Sequence, residues 1–295
     1  MGYTVAIIAA GEMGAAVAAR LVEQGVHVTT SLAGRSNASA ARAEKARMVP
    51  VADDDALVAD ADFFLSICPP GEAVALAVRM KPALVRSRKK PIYVDCNAVS
   101  PETAVEIGNV LEGSGAPYVD GGIIGLPPPP GHTGTRIYVS GPAAREVAKL
   151  SDFGVPFPYL EGPIGAASAL KMSYAGITKG LTAVAVSMVL GATRSGSAAA
   201  LHRELELSQP QLLAWLTRQL PRMPPKAYRW VAEMEEIGHF VGDGTPGGDM
   251  YAAIARIYED IAAALRAPQT ADNPVAQLAA FFEPAATADK ERKRA

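Results

Sequence analysis

Val5-Ala6-Ile7-Ile8-Ala9-Ala10-Gly11-Glu12-Met13-Gly14 is the stretch on which the fold turns. A strand buried on both faces reads as a continuous apolar run. Here such a run enters a glycine-containing turn and then an Ala- and Leu-rich helical stretch, Ala15 to Glu23. Strand, glycine turn and helix in that order are the start of a dinucleotide-binding unit, whose fingerprint is Gly-x-Gly-x-x-Gly. Ala9 stands at the first glycine position, Gly11 at the second and Gly14 at the third. Gly11 would let a pyrophosphate approach the backbone, and Gly14 would let helix and strand pack closely. The helix N-terminus offers N–H groups and a positive dipole to phosphates. The expected cradle is Ala10, Gly11, Glu12, Met13 and Gly14, with Ala9 tightening or shifting the first turn. The alternative is a strand-to-helix turn whose glycines serve geometry alone.

The pattern continues outward. Val26 to Thr30, Phe63 to Ile67, Pro91 to Asp95, Tyr118-Val119 and Ile137 to Val139 read as further strands, separated by helical stretches such as Glu72 to Val85. Apolar strands alternating with helices predict an α/β Rossmann domain: a doubly wound, mostly parallel sheet with right-handed crossovers. Beyond Pro163 the strand signal disappears. Ala166 to Ala192 is one helical pattern, apolar nearly all round, and is therefore expected to be buried. The remainder reads as helices punctuated by Pro- and Gly-containing breaks. The expected organisation is a Rossmann domain over 1–162, an all-α domain over 163–285 joined to it by the long interdomain helix, and a disordered tail over 286–295.

Composition narrows the function. The chain has 295 residues, of which 49% are hydrophobic, so two cores can be buried. The net charge of -2 offers no basic excess for nucleic acid or anionic membrane. Two cysteines, Cys68 and Cys96, lie at strand ends without Cys-x-x-Cys spacing, which fits a reducing compartment. The N-terminus runs straight into a strand without a signal-peptide pattern. The longest uncharged apolar stretch, Leu181 to Ala192, is shorter than a bilayer requires. The expectation is a cytoplasmic protein without nucleic-acid or membrane partners. Four histidines, His27, His132, His202 and His239, show no metal-ligand spacing. No Gly-x-Ser-x-Gly elbow and no Walker lysine occur.

The end of the second strand bears on the cofactor. An acid there would take the ribose 2′-hydroxyl of NAD. The chain reads Thr30-Ser31-Leu32-Ala33-Gly34-Arg35-Ser36-Asn37, with no acid. Arg35 can pair with a 2′-phosphate, and Ser31 and Ser36 can donate hydrogen bonds. NADPH is expected to be preferred, with NAD still accepted. The alternative for Arg35 is a solvated side chain in a surface loop.

These motifs together resemble the β-hydroxyacid dehydrogenase superfamily, which includes 3-hydroxyisobutyrate and 6-phosphogluconate dehydrogenases. Four segments carry the resemblance: the Ala9–Gly14 turn, Asp95-Cys96-Asn97-Ala98-Val99-Ser100-Pro101, Val119-Asp120-Gly121-Gly122-Ile123-Ile124-Gly125, and Gly162-Pro163-Ile164-Gly165-Ala166-Ala167-Ser168-Ala169-Leu170-Lys171. The last is similar to the family's Gly-x-x-Gly-x-Gly-x-x-x-Lys element, with Ala167 at the third glycine. The helical C-terminal half, with Glu233-Met234-Glu235-Glu236, looks like a less characterised branch resembling 6-phosphogluconate dehydrogenases. The resemblance implies that Lys171 is the catalytic acid/base. An ammonium can protonate the alkoxide that forms as hydride arrives, and burial would lower its pKa toward working pH. The alternative is a lysine snorkelling at a helix start. Lys179 is a weaker candidate for the same role. The resemblance also implies cofactor contacts at Cys68, Pro69 and Asn97. Its implied substrate contacts are Gly121, Gly122, Ile123, Lys171, Tyr174 and His239, with Asn97 and Tyr174 assisting catalysis.

Three departures matter. Tyr174 and Ala175 stand where small-hydroxyacid enzymes carry Asn, Ile124 stands where they carry Ser, and Ser187 stands where an acid often follows. The expected pocket is more apolar than one for a small carboxylate. Tyr174 can donate to substrate or simply pack; His239 reads first as a core or surface histidine, and the resemblance implies, as the alternative, a place near a neighbouring subunit's active site. The stiff Leu126-Pro127-Pro128-Pro129-Pro130-Gly131-His132 loop either walls the site or is a rigid connection. The leading expectation is a homodimeric NADP-dependent reductase of a carbonyl compound, reversible as an alcohol dehydrogenase. The alternatives are imine reduction, whose enzymes commonly replace the lysine, and an NADP-binding regulatory protein that has lost catalysis.

Overall fold

A computed structural model describes residues 2–131 and 134–282. His132 and the expected tail over 286–295 lie outside the described residues. The chain divides into two compact units, one ending at Ser173 and one beginning at Tyr174.

In the first unit β1 (Thr4–Ile8), α1 (Glu12–Glu23), β2 (His27–Ser31), α2 (Asn37–Lys45), β3 (Val49–Val51), α3 (Asp54–Ala59), β4 (Phe63–Ser66), α4 (Ala73–Arg86), β5 (Ile92–Asp95) and α5 (Pro101–Leu111) alternate strictly. β6 (Tyr118–Ile124), β7 (Arg136–Ser140) and α6 (Ala144–Ala148) complete it, together with the first turns of α7 (Ala166–Arg194). The strand order is β3-β2-β1-β4-β5-β6-β7, parallel except for β7. This is the expected doubly wound, mostly parallel sheet, and its order reverses between β1 and β4. β1 and β4 are buried along almost their whole length because helices cover both faces. One core layer contains Val5, Ile7, Val17 and Leu21, the other Ala6, Ile8, Phe64 and Tyr93.

β3 carries no apolar run to announce it. Its register opposite Thr30 falls on Pro50, a residue suited to an edge strand. The opposite edge is sheathed: Ile137 and Val139 donate to the carbonyls of Pro156 and Pro158 at 2.9 and 3.1 Å, and Leu160 donates to Val139 at 2.9 Å.

The second unit contains the rest of α7 with α8 (Ala198–Ser208), α9 (Pro210–Gln219), α10 (Ala227–Val241), α11 (Pro246–Arg266) and α12 (Pro274–Phe282). The division therefore falls within the long helix. Two expectations about α7 are corrected. It is not buried all round: Tyr174, Ile177, Leu181, Val184 and Met188 are 40–71% exposed. Their alternating spacing of three and four residues places them in one stripe. The opposite face buries Ala175, Ala183, Val186 and Val189, and Gly176 and Gly180 lie close to Tyr251 of the second unit. The helix is also long and apolar enough to cross a membrane by length and composition, contrary to the limit drawn from Leu181–Ala192, although 39% of its most apolar window is buried in the fold. Weakly apolar and small residues extend the helix on both sides of Leu181–Ala192. A core helix of a soluble protein reaches the same length and composition.

Candidate functional site

The phosphate turn explains its glycines by two different means. A Cβ on Gly14 would lie 2.0 Å from the Ala9 carbonyl oxygen, so β1 and α1 come together only around a bare glycine. Gly11 has φ -72° and ψ -175°, which any residue adopts, and a Cβ there would meet nothing within 4 Å. The space beside it is open. Gly11 is the N-cap of α1 and places no side chain over the first turn.

At the end of β2, Thr30 Oγ1 donates to the Ile7 carbonyl at 2.8 Å and ties the strand to β1. Ser31 is buried, and its hydroxyl oxygen has no hydrogen-bond partner among the described residues. An orphaned hydroxyl at the C-terminal edge of the sheet is a feature that a ribose or phosphate oxygen would satisfy. Arg35 is exposed. Ser36 caps α2, accepting from the Ser39 N–H at 3.3 Å. Arg42 Nε donates to the Ala10 carbonyl at 3.1 Å, and its Nη2 donates to Ser39 Oγ at 3.1 Å. The phosphate turn is thus pinned to α2 by a second arginine. Only helical phase could have singled out Arg42, two turns after the Ser36 cap.

Asn97 is buried at the end of β5 and turned inward. Its amide nitrogen donates to Ser66 Oγ at 2.7 Å and to Asp95 Oδ1, and its Oδ1 accepts from the Cys68 N–H at 2.6 Å. It therefore clasps the ends of β4 and β5. Asp95 is fully buried, and burial is the main cause that raises its carboxyl from 3.8 to about 7; Asp120 adds to the rise, against hydrogen bonds from Ser66 and Asn97. Burial, reinforced by Asp95, pushes the Cys68 thiol up to about 12, so it is no thiolate nucleophile near neutral pH. Pro69, beside it, is exposed.

β6 is where the lysine-bearing helix meets the sheet. A Cβ on Gly121 would lie 2.8 Å from the Asp95 carbonyl oxygen. One on Gly122 would lie 2.6 Å from the Ala167 carbonyl oxygen and 3.0 Å from Lys171 Cβ. Gly122 lets α7 lie directly on β6, Gly121 gives room to the end of β5, and Ile123 beside them is buried. Asp120 is fully buried and organises the start of α7. Its Oδ2 accepts from the backbone N–H groups of Gly165, Ala167 and Ser168 at 3.0, 2.9 and 3.0 Å, and from Ser140 Oγ at 2.9 Å. Its Oδ1 accepts from Ser168 Oγ at 2.6 Å. Gly165 has φ +98°, a conformation that favours glycine and turns the chain into the helix. Lys171 follows, half-buried, one turn past Ala167.

In the second unit Tyr174 is exposed on α7. His239, near the end of α10, is also exposed, with its Nδ1 2.7 Å from Asp243 Oδ1. Lys179 is ion-paired with Glu233 and lies 4.8 Å from the Trp230 ring centroid.

Residues 4–151 match the family described as the NAD binding domain of 6-phosphogluconate dehydrogenase. The chain belongs to the β-hydroxyacid dehydrogenase superfamily. Residues 192–261 match a domain family of unknown function. An uncharacterised 28.5 kDa protein of Methanothermus fervidus is 30% identical over 171 residues. The match spans 58% of this chain and 64% of that relative, less than two thirds of its length. A solved conserved protein of unknown function, described as structurally similar to 3-hydroxyacid dehydrogenases, is 28% identical over 88% of this chain and 96% of its own, with TM-score 0.67. The 3-hydroxyisobutyrate dehydrogenase of Mycobacterium tuberculosis shares the fold over 90% of this chain and 100% of its own, at 18% identity and TM-score 0.66. An imine reductase of Myxococcus stipitatus shares it over 96% and 100%, at 21% identity and TM-score 0.52. Residues 4–151 thus form the nicotinamide-dinucleotide-binding domain of that superfamily.

Proposed function

We propose that the chain is an NADP-dependent oxidoreductase that interconverts a carbonyl compound and its alcohol, with Lys171 as general acid/base. The supporting observation is the seat of Lys171: it follows a helix start fixed by Asp120 and lies against Gly122, toward the carboxyl end of a sheet strand. In open α/β sheets that edge is where ligands bind. The cofactor fits the residues present. Gly11 offers open space beside a helix N-terminus, Ser31 an orphaned hydroxyl, and Arg35 and Arg42 two cations beyond β2. A bound nicotinamide would supply the hydride. Lys171 would give its proton to the substrate oxygen as negative charge develops there, and would take it back in the reverse direction. Asn97 would hold the β4 and β5 ends that border the cofactor, and Gly121, Gly122 and Ile123 would shape the substrate side through the backbone. Tyr174 is the next candidate donor.

Imine reduction is the second reading, favoured by the solved imine reductases that share this fold. Retention of Lys171 favours carbonyl chemistry. Both cysteines are free thiols, in keeping with a cytoplasmic protein. The exposed stripe on α7 supports a homodimer.

The test is Lys171→Met, which keeps the stem and removes the charge. Turnover on an aldehyde or alcohol substrate found by screening should fall by roughly two to four powers of ten, while NADPH titration and melting stay close to wild type. A Met variant that keeps more than about a tenth of wild-type kcat would show that Lys171 is not the general acid.

A further inference from the structure

The superfamily reading leaves the most heavily hydrogen-bonded side chain of the site without a role. Asp120 is fully buried in β6 and receives five hydrogen bonds: three from backbone N–H groups at the start of α7 and two from serine hydroxyls. Ser140 Oγ is also 3.0 Å from the Ala167 N–H, so β7 joins the same cluster. Helix starts are ordinarily satisfied by a local Ser, Thr, Asp or Asn. Here the cap comes from a strand 45 to 48 residues away in sequence. Such a cap does more than satisfy N–H groups. It fixes where the helix begins relative to the sheet and puts a negative charge against the positive end of the helix dipole.

Lys171 lies three residues beyond Ser168, about 4.5 Å along the helix axis. Its Cβ would be 3.0 Å from a Cβ on Gly122, two residues beyond Asp120. We propose that Asp120 is a positioning residue: it clamps the first turn of α7 and thereby sets both the location of Lys171 and the charge that Lys171 experiences. The proposal rests on the reading of Lys171 as the acid/base. Asp95, at the end of the neighbouring strand, is electrostatically coupled to Asp120.

The experiment uses the full chain and needs no substrate. Lysine acylation by acetic anhydride requires the neutral amine, so the labelling rate of the Lys171 peptide against pH, read by mass spectrometry, reports its ionisation. Asp120→Asn retains the shape and removes the charge, leaving the helix dipole unopposed. The Lys171 transition should move down by about one pH unit, and labelling at neutral pH should rise by about tenfold. Ser168→Ala removes the Oδ1 contact alone and should produce a smaller change in the same peptide. Other lysine peptides serve as the control, and NADPH titration and melting establish that each variant is folded. Unchanged Lys171 labelling in a folded Asp120→Asn variant would overturn the proposal. So would an unfolded Asp120→Asn variant together with wild-type labelling in Ser168→Ala. The catalytic reading of Lys171 fails by a different result, turnover in Lys171→Met, so the two failures are distinguishable.

Discussion

Gly11 and Gly14 lie three residues apart, yet replacing each with alanine should damage different properties. At Gly11 the backbone angles suit alanine, and a Cβ would have no neighbour within 4 Å. Alanine is a poorer N-cap than glycine, by roughly 0.5–1 kcal/mol. The smaller entropy of its unfolded chain returns about 0.4–1 kcal/mol. Stability should therefore change by less than about 0.5 kcal/mol. The new methyl would occupy the space a pyrophosphate needs, so NADPH affinity should fall by roughly tenfold or more, about 1.4 kcal/mol. At Gly14 a Cβ would lie 2.0 Å from a backbone oxygen and 3.2 Å from its carbonyl carbon. No rotamer relieves a clash with backbone, so the strand or helix must move by more than about 1 Å, exceeding the ~1–3 kcal/mol typical of overpacking. At about 2–4 °C per kcal/mol, Gly14→Ala should melt roughly 6–10 °C below wild type. Scanning calorimetry and NADPH fluorescence titration of both variants give the four readings. The reasoning is refuted if Gly11→Ala binds NADPH as wild type does, or if Gly14→Ala melts with it.

Arg35→Ala should weaken NADPH by about 10- to 100-fold, the worth of a charge-assisted contact, and leave NADH unchanged; equal losses for the two cofactors in calorimetry would count against a 2′-phosphate site. Arg42→Ala should also loosen NADPH, because the Ala10 carbonyl loses its tie to α2. Asp95 predicts a pH effect of definite sign. Its folded-state pKa lies above its unfolded value of 3.8, so the folded chain holds the proton more tightly, and stability falls as pH rises from about 4 to about 7. The full penalty, roughly 4 kcal/mol, is present above that window. Asp95→Asn should recover part of it at pH 8 and flatten the profile, whereas a profile as steep as wild type in denaturant titrations would rule this out. Wild type should sediment as a dimer, and Ile177→Glu with Leu181→Glu should dissociate it; a stable wild-type monomer at micromolar concentration would contradict the reading of the α7 stripe.

The parallel core of the fold was legible because its central strands carry uninterrupted apolar runs, Val5–Ile8 in β1 and Phe63–Leu65 in β4. β3 was hidden because a three-residue edge strand containing Pro50 has neither length nor periodicity to reveal it. The burial of α7 was overread for a related reason: composition records how apolar each face is, not whether it is covered, and the Tyr174–Met188 stripe is exposed. At the site, Gly14 was readable as a glycine of close approach, since that is a local property of a strand meeting a helix, whereas Gly122, expected as a substrate contact, also gives α7 room against β6. Arg42 and Asp120 were not singled out. Their partners are 32 and up to 48 residues distant, and neither spacing leaves a periodic trace. Asn97 was recognised by its segment, but its amide faces inward to Ser66, Asp95 and Cys68, an orientation that only the folded strand ends determine.

The two margins of the sheet bear on how the protein behaves when crowded. An open strand margin is a template on which a foreign chain can lengthen the sheet, the first step toward fibrillar assembly. On one side the margin is only Val49–Val51, and its central proline has no N–H to offer. On the other, the segment from Pro156 to Leu160 lies over β7, and the N–H of Phe157 is taken by Ser151 Oγ at 2.8 Å. A seven-stranded apolar sheet thus ends, on both sides, in backbone poorly suited to recruiting another strand. The residues that close these margins are Pro50 on one side and Pro156, Pro158 and Ser151 on the other.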